Sequence, residues 1–289
     1  MKILLFGGSG QLGFEVRKRA ADLNFEVVSP VTQEVNITDL EQVSKLFDNL
    51  RPSVVINSAA YTAVDKAEEE REKAWAINAD GVANIASVCA KNETRLIHIS
   101  TDYVFDGLLG RPLREDDQVN PVSEYGRSKL AGEEHVRELL GERGSVVRTQ
   151  ALYGQKGVNF VHTMLKLFAE RESLKIVDDQ WVSPTWAGWL AEVLLDLVRM
   201  PVGGVLHASC NGTVSWYEFA SAIHALATPS FEGRRMARLE KTTALELARP
   251  ATRPVFSAFD TSKLASTLGR PVLAWDEALR QFLREIGVV

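Results

Sequence analysis

Cysteine is scarce in this chain. Cys89 and Cys210 are the only two in 289 residues, far apart and in no metal-binding or redox spacing. That excludes a disulfide framework and suits a reducing cytoplasm, the expected compartment. No run of about 18 apolar residues occurs, so no membrane-spanning helix is expected. The apolar start, residues 1–6, is too short for a signal peptide and runs into Gly7-Gly8. Internal repeats and Pro/Gly/Ser-rich linkers are absent. Positive charge is not in excess: 33 Lys and Arg against 38 Asp and Glu leave a net charge of −5. Such a surface is poorly suited to gripping a nucleic acid or an anionic membrane by bulk charge. The five histidines show no metal spacing. What remains is ordinary globular composition, 45% apolar and 25% charged. The length allows one large domain or two unequal ones.

The first half alternates strand and helix signals. Strands are expected at 2–6, 25–29, 54–57, 96–100 and 145–149. Between them, helices are expected at 11–23, 68–91 and 124–140, and one running to Leu50 from a capping box at Thr38-Asp39-Leu40-Glu41. This order implies parallel strands joined by crossover helices, an α/β fold with helices on both faces. After Thr149 the order loosens. Helices are expected at 160–169, 186–198 and 276–286, strands at 175–177 and 206–209, and a second capping box at Ser215-Trp216-Tyr217-Glu218. The expected division is a dinucleotide-binding domain over 1–150, with 171–200 returning to it. A smaller mixed α/β substrate lobe is expected, built mainly from 151–170 and 201–289.

Gly7-x-x-Gly10-x-x-Gly13 follows the first strand and opens the first helix. Glycines there let the backbone turn tightly and let a pyrophosphate approach the helix N-terminus. Together with the βα order, this predicts a Rossmann-type doubly wound sheet. The acid that usually ends strand two and selects a free ribose 2′-hydroxyl is missing: Ser29, Pro30, Val31 and Thr32 stand there. The expected cofactor is therefore NADPH or NADH. Asp39 is a candidate contact to adenine, or an acid in the first turn of its helix.

Tyr125-Gly126-Arg127-Ser128-Lys129 puts a tyrosine and a lysine on one helix face. A nearby ammonium lowers a phenol's pKa, so that the tyrosine can exchange a proton with a carbonyl or alcohol oxygen. Upstream, Ser100-Thr101-Asp102-Tyr103 ends a strand and offers hydroxyls to the same oxygen. Asn78 is read as holding a structural water or backbone group.

These features resemble the extended short-chain dehydrogenase/reductases. More closely, the chain is similar to the dTDP-4-dehydrorhamnose reductase family. The resemblance is carried by Gly10–Gly13 (GQLG), residues 57–68 (NSAAYTAVDKAE), 100–107 (STDYVFDG) and 125–133 (YGRSKLAGE). Asn159-Phe160, Asp179-Gln180, Ser183-Pro184-Thr185, Arg253-Pro254 and Trp275 extend it over nearly the whole chain. It implies reduction of the C4 ketone of dTDP-4-dehydrorhamnose to dTDP-L-rhamnose by NAD(P)H, within polysaccharide precursor synthesis. It further implies Tyr125 as proton donor, Lys129 as its partner and ribose contact, and Thr101 as hydroxyl donor. Asp102 matches a substrate contact and Tyr103 a position near the nicotinamide. Gly10, Gln11 and Leu12 match the pyrophosphate turn, and Ala59, Ala60 and Thr62 a strand end along the cofactor. The expected partner is a nucleotide sugar, with homodimer formation left open.

Departures exist. Where the family reads Arg-Thr-Ser-Trp-x-Tyr-Gly, this chain has Gln150 and Ala151. Some members hold Mg²⁺ through glutamates between subunits. Glu15 matches one, but Gly188 aligns with another, so no metal is expected here. Two alternatives stand beside the reductase reading. One is a nucleotide-sugar epimerase or 4,6-dehydratase, although Tyr103 occupies the place of the dehydratase glutamate. The other is a non-catalytic, reductase-like regulatory subunit.

Overall fold

The computed structural model describes residues 1–231, 233 and 235–289. In chain order the first half forms β1 (Lys2–Phe6), α1 (Gln11–Asp22), β2 (Glu26–Val28), α2 (Leu40–Leu50) and β3 (Val54–Asn57). Then come α3 (Val64–Ala67), α4 (Arg71–Trp75), a π-helical turn at Ala76–Asp80, α5 (Gly81–Lys91), β4 (Arg95–Thr101), α6 (Glu124–Leu140) and β5 (Gly144–Thr149). The second half adds β6 (Leu152–Tyr153), α7 (Phe160–Glu170), β7 (Ser173–Val177), β8 (Trp181–Val182), β9 (Thr185–Trp186), α8 (Ala187–Arg199) and β10 (Gly204–His207). It ends with β11 (Val214–Ser215), α9 (Trp216–Ala227), β12 (Arg238–Thr242), α10 (Ala244–Leu247), α11 (Ser262–Leu268) and α12 (Trp275–Glu285).

Six strands form one parallel sheet in the order β2-β1-β3-β4-β5-β10. Its strands are apolar on both faces, as a sheet covered by helices on each side requires. Ile3 and Leu5 of β1 enter the layer that contains Val16 of α1 and Leu190 and Leu194 of α8. Leu4 and Phe6 enter the opposite layer, with Val43 and Phe47 of α2 and Ile85 and Val88 of α5. The chain passes from β1 outward to β2 and then back to β3 on the other side. This reversal opens a crevice at the carboxyl ends of β1 and β3, the usual ligand position in such sheets. Three two-stranded pairs, β12-β7, β11-β8 and β6-β9, belong to the second half.

Three features differ from expectation. The helix expected over 68–91 is broken into α4, a π turn and α5. The cap of α2 is Asp39, not Thr38: its carboxylate accepts from the Glu41 and Gln42 amides at 3.0 and 3.1 Å. Strand β10 lies inside the stretch assigned to the smaller lobe, yet it pairs with β5 as an edge of the main sheet. Within 171–200, α8 packs on α1, whereas β7 pairs with β12 outside that sheet. The capping box at Ser215 forms as expected.

Between β4, β5, β10 and α6 lies a buried polar chain. Arg148 Nε and Nη2 donate to the two Glu133 carboxylate oxygens at 2.9 and 2.7 Å. Ser100 Oγ also donates to Glu133. On its far side, Arg148 Nη1 lies 3.4 Å from His207 Nε2, while His207 Nδ1 meets the Leu113 carbonyl at 3.0 Å. A carbonyl only accepts, so the ring proton sits on Nδ1 and Nε2 is free to receive the guanidinium. Burial, with the Arg148 charge second, pushes His207 down to about 3, which keeps it neutral. Removing one member of such a pair leaves an uncompensated buried charge, at a cost of about 3–5 kcal/mol. Arg148→Met should lose stability in that range by denaturant unfolding. The double variant E133L/R148M should recover most of the loss, because no charge is then stranded. A single variant as stable as the parent would contradict this assignment.

Candidate active site

The glycine turn is built for close approach. Gly7 has φ +80°, a backbone that side chains disfavour, and its carbonyl receives the Gly10 amide at 3.0 Å. A Cβ on Gly13 would lie 2.2 Å from the Gly7 oxygen, so α1 can pack under the turn only without one. Gly10 caps α1 with no side-chain bond, leaving the first helical amides open to an anion. Two clefts meet here. One, of about 260 Å³, is lined by Gly7, Gly10, Pro30, Thr32, Asn36 and Ala59. It contains no carboxylate, and Ser29 turns inward to donate to the Leu5 carbonyl at 2.9 Å. The other, of about 530 Å³, shares Gly10 and Ala60 with the first and reaches the ends of β4 and β5. The residues present thus fit a dinucleotide laid across the crevice.

The larger cleft brings together Gly10, Gln11, Leu12, Ala60 and Thr62 with Thr101, Asp102, Tyr103, Tyr125 and Lys129. Gly7 and Ala59 line the smaller one, and Gly13 lies beneath the turn. Asp39 lines neither; its carboxylate is taken up by the α2 cap and by Gln42 Nε2 at 2.7 Å. Gln11 also braces the fold, since it donates to the Leu152 carbonyl at 3.0 Å and accepts from Asn159 at 2.9 Å. It thereby ties the glycine turn to the second half of the chain.

Helix α6 presents Tyr125 and Lys129 because two glycines let it come close. A Cβ on Gly126 would fall 2.2 Å from the Tyr103 oxygen, and one on Gly132 would fall 2.2 Å from the Asn78 oxygen. Asn78, in the π turn, accepts from the Tyr61 amide at 2.9 Å. It donates to the Tyr61 carbonyl at 3.1 Å and to Ser128 Oγ at 3.0 Å. It holds backbone groups, as expected from the sequence, and positions the loop that carries Thr62. Such π turns recur at functional sites.

Tyr125 shares a hydrogen bond with Thr101, whose hydroxyl donates to Asp102 at 3.1 Å. The Tyr103 ring stands edge-on to Tyr125, with centroids 5.3 Å apart. Burial raises Tyr125 above the usual phenol range, and the Asp102 and Tyr103 charges add to the rise. The lowering expected from Lys129 is thus absent in the protein alone. The reason is geometric: Lys129 Nζ points to the Ile99 carbonyl at 2.6 Å and to His98 at 3.4 Å. Burial lowers Lys129 to about 8, against the opposing pull of Glu133. Burial likewise raises Asp102 to about 6.

The far wall of the site was not foreseen from the sequence. A further cleft of about 260 Å³ shares Asp102, Tyr103 and Ala151 with the central one and adds Trp216, Arg249 and Arg253. It continues, through Gln180 and the same arginines, into an aliphatic groove of about 450 Å³ with Val177, Leu245 and Leu247. Arg253 grips Asp65 through two bonds of 3.0 and 2.8 Å, whereas Arg249 has no ion-pair partner among the described residues. Ala151, at φ +43°, forms part of the wall between the clefts. Glu15, one turn along α1 from Gln11, is buried and paired with Arg19, which also reaches Glu192 at 3.2 Å. Among the described residues no cluster of three or more His, Cys, Asp or Glu is arranged to hold a metal, and no helix is long and apolar enough to cross a membrane.

Comparison with known proteins agrees with this geometry. A family described as "RmlD substrate binding domain" matches residues 1–288. The spore coat polysaccharide biosynthesis protein SpsK of Bacillus subtilis is 39% identical over 284 residues, 98% of this chain and 97% of that protein. A dTDP-4-dehydrorhamnose reductase of Streptomyces griseus is 39% identical over 285 residues, covering 96% and 91%. Among solved structures, a dTDP-4-dehydrorhamnose reductase of Clostridium acetobutylicum superposes with a TM-score of 0.93 at 40% identity, over 99% of each chain. The enzyme of Bacillus anthracis in complex with NADP gives 0.92 at 34%, over 98% of this chain and 99% of that one. A UDP-glucose 4-epimerase of Thermus thermophilus, at 19% identity and a TM-score of 0.83, shares the fold. With the profile spanning the chain and near-complete relatives at these identities, the chain belongs to the dTDP-4-dehydrorhamnose reductase family.

Proposed function

We propose that this protein reduces the C4 ketone of a dTDP-4-dehydro-6-deoxy sugar, dTDP-4-dehydrorhamnose giving dTDP-L-rhamnose, with NADPH or NADH. One observation carries the reading: Thr101, Tyr125 and Lys129 meet in a cleft that is continuous with the open glycine turn on one side and the Arg249–Arg253 groove on the other. The glycine turn and Lys129 would hold the dinucleotide, whose nicotinamide would supply the hydride for the carbonyl carbon. Tyr125 gives its hydroxyl proton to the carbonyl oxygen, and Thr101 donates a hydrogen bond to the same oxygen. Asp102, beside them, accepts from a sugar hydroxyl. Lys129 contacts the ribose, and its positive form counters the phenolate left on Tyr125. Arg249 and Arg253 face the diphosphate, and the aliphatic groove beyond takes the base. Tyr103 does not suit a dehydratase base: burial pushes its hydroxyl up to about 12.

Tyr125→Phe should keep cofactor affinity while kcat falls by about 10²–10⁴-fold, the usual worth of a general acid. Thr101→Val should cost less, as it removes one hydrogen bond and not the proton source. Steady-state ketosugar reduction measures both, and near-normal kcat in Y125F would remove the residue from the mechanism.

Because no carboxylate lines the adenosine-side cleft, both cofactors should serve and NADPH should be no worse. A hundredfold or greater preference for NADH in kcat/KM, roughly 2.7 kcal/mol, would contradict that reading of the cleft.

Arg249→Ala removes a charged donor from the groove and leaves no ion pair broken. Hydrogen bonds to charged groups are worth about 1.5–3 kcal/mol. KM for the nucleotide sugar should therefore rise by about 10–100-fold with kcat little changed. An unchanged KM would place the diphosphate elsewhere.

A further inference from the structure

Behind Lys129, away from the cleft, the structure holds two buried polar residues that the reduction itself does not use. Asn57 ends β3 and His98 lies in β4; both are fully buried. Their hydrogen bonds have a fixed direction. The Ala59 amide donates to Asn57 Oδ1 at 3.1 Å, and an amide NH₂ could not accept it. Asn57 Nδ2 therefore faces His98 Nδ1, at 3.2 Å, as a donor. His98 Nδ1 must then be the bare nitrogen, and the proton of the neutral ring sits on Nε2. That atom is 3.4 Å from Lys129 Nζ.

We propose that Asn57 and His98 are positioning residues for Lys129: they fix one His98 tautomer so that an N–H, and not a lone pair, is aimed at the lysine nitrogen. An ammonium has no lone pair to receive that N–H, whereas a neutral amine has one. A neutral amine also keeps two N–H groups, one for the Ile99 carbonyl at 2.6 Å and one for the cleft. The arrangement biases Lys129 toward the uncharged form and brings its protonation change into the working pH range. Burial acts in the same direction and places Lys129 near 8. Besides His98, the charged group that acts on Lys129 is Glu133 on its own helix, while Tyr125 and Asp102 line the same cleft. Glu133 pulls Lys129 upward but is itself held by Arg148 of β5. The π turn packed on α6 contributes Asn78, which does not titrate. His98 stays neutral, because burial and then the Lys129 charge hold it well below the ordinary histidine value.

The inference rests on the reading of Lys129 as the partner of Tyr125. Its test uses the cofactor-free, substrate-free protein, so either can fail alone. Long-range ¹⁵N–¹H NMR of the unmodified protein should show His98 protonated on Nε2; protonation on Nδ1 would overturn the proposal without any variant. The Lys129 midpoint, followed by the ¹³Cε shift in lysine-labelled protein and assigned with K129R, should lie near 8. His98→Phe keeps the ring and removes the N–H, so the midpoint should rise by at least half a pH unit. A ring that served only as packing would leave it unchanged or lower it, and that result would also overturn the proposal. Asn57→Asp should reverse the tautomer and present a lone pair to the lysine. Its upward shift should be larger with His98 present than in the H98F background; equal shifts would reduce Asn57 to a distant charge effect and refute the chain.

Discussion

The site depends on how closely one helix can approach the ends of two strands. Helix α6 carries Tyr125, Ser128, Lys129 and Glu133, and each meets its partner only because the helix backbone lies against Tyr103 on one side and Asn78 on the other. Gly126 and Gly132 are the positions where that approach is tightest. Glycine costs helix stability, roughly 0.5–1 kcal/mol each relative to alanine, so the contact must supply more than it loses. It does so through buried pairs: Ser128 with Asn78, Glu133 with Arg148 and Ser100, and Lys129 with the Ile99 carbonyl. The side chains that line the cleft and the packing that holds them are therefore one construction. A helix moved out by one methyl group would separate Tyr125 from Thr101 and Glu133 from Arg148 together.

Much of this was legible in the sequence because its signals are local. The glycine turn, the strand–helix alternation and the Tyr125–Lys129 spacing are each set within a few residues. The cleft that unites Gly10, Thr101, Tyr125 and Lys129 follows from the strand order. What stayed hidden depends on partners distant in sequence. The run over 68–91 has continuous helical character, and only the bonds from Asn78 to Tyr61 and Ser128 show why it carries a π turn. Strand β10 is too short to announce its partner, and its place beside β5 is a non-local pairing. Arg249 and Arg253 lie in an irregular loop, where no periodicity distinguishes a ligand-facing charge from a solvated one. Asp39 and Thr38 are both good helix caps, and composition could not choose between them.

The electrostatics also differ from a reading based on residue types. A lysine one turn from a tyrosine suggests that the ammonium lowers the phenol. In the folded protein burial dominates both groups, raising Tyr125 and lowering Lys129.

The pairing of β10 with β5 has a consequence for how the chain comes off the ribosome. The first five strands of the sheet emerge in order, but the sixth follows only after α7, the β7–β9 segments and α8 have been made. At ordinary synthesis rates that interval is roughly several seconds. During it, the edge of β5 has no partner and Arg148 lacks His207. The nascent first half is therefore an open sheet with a template edge, the kind of surface on which chains join one another. The same interleaving means that residues 1–150 are not a self-contained unit: a fragment ending near residue 150 would keep the glycine turn and the Tyr125–Lys129 helix and lose the sixth strand of their sheet.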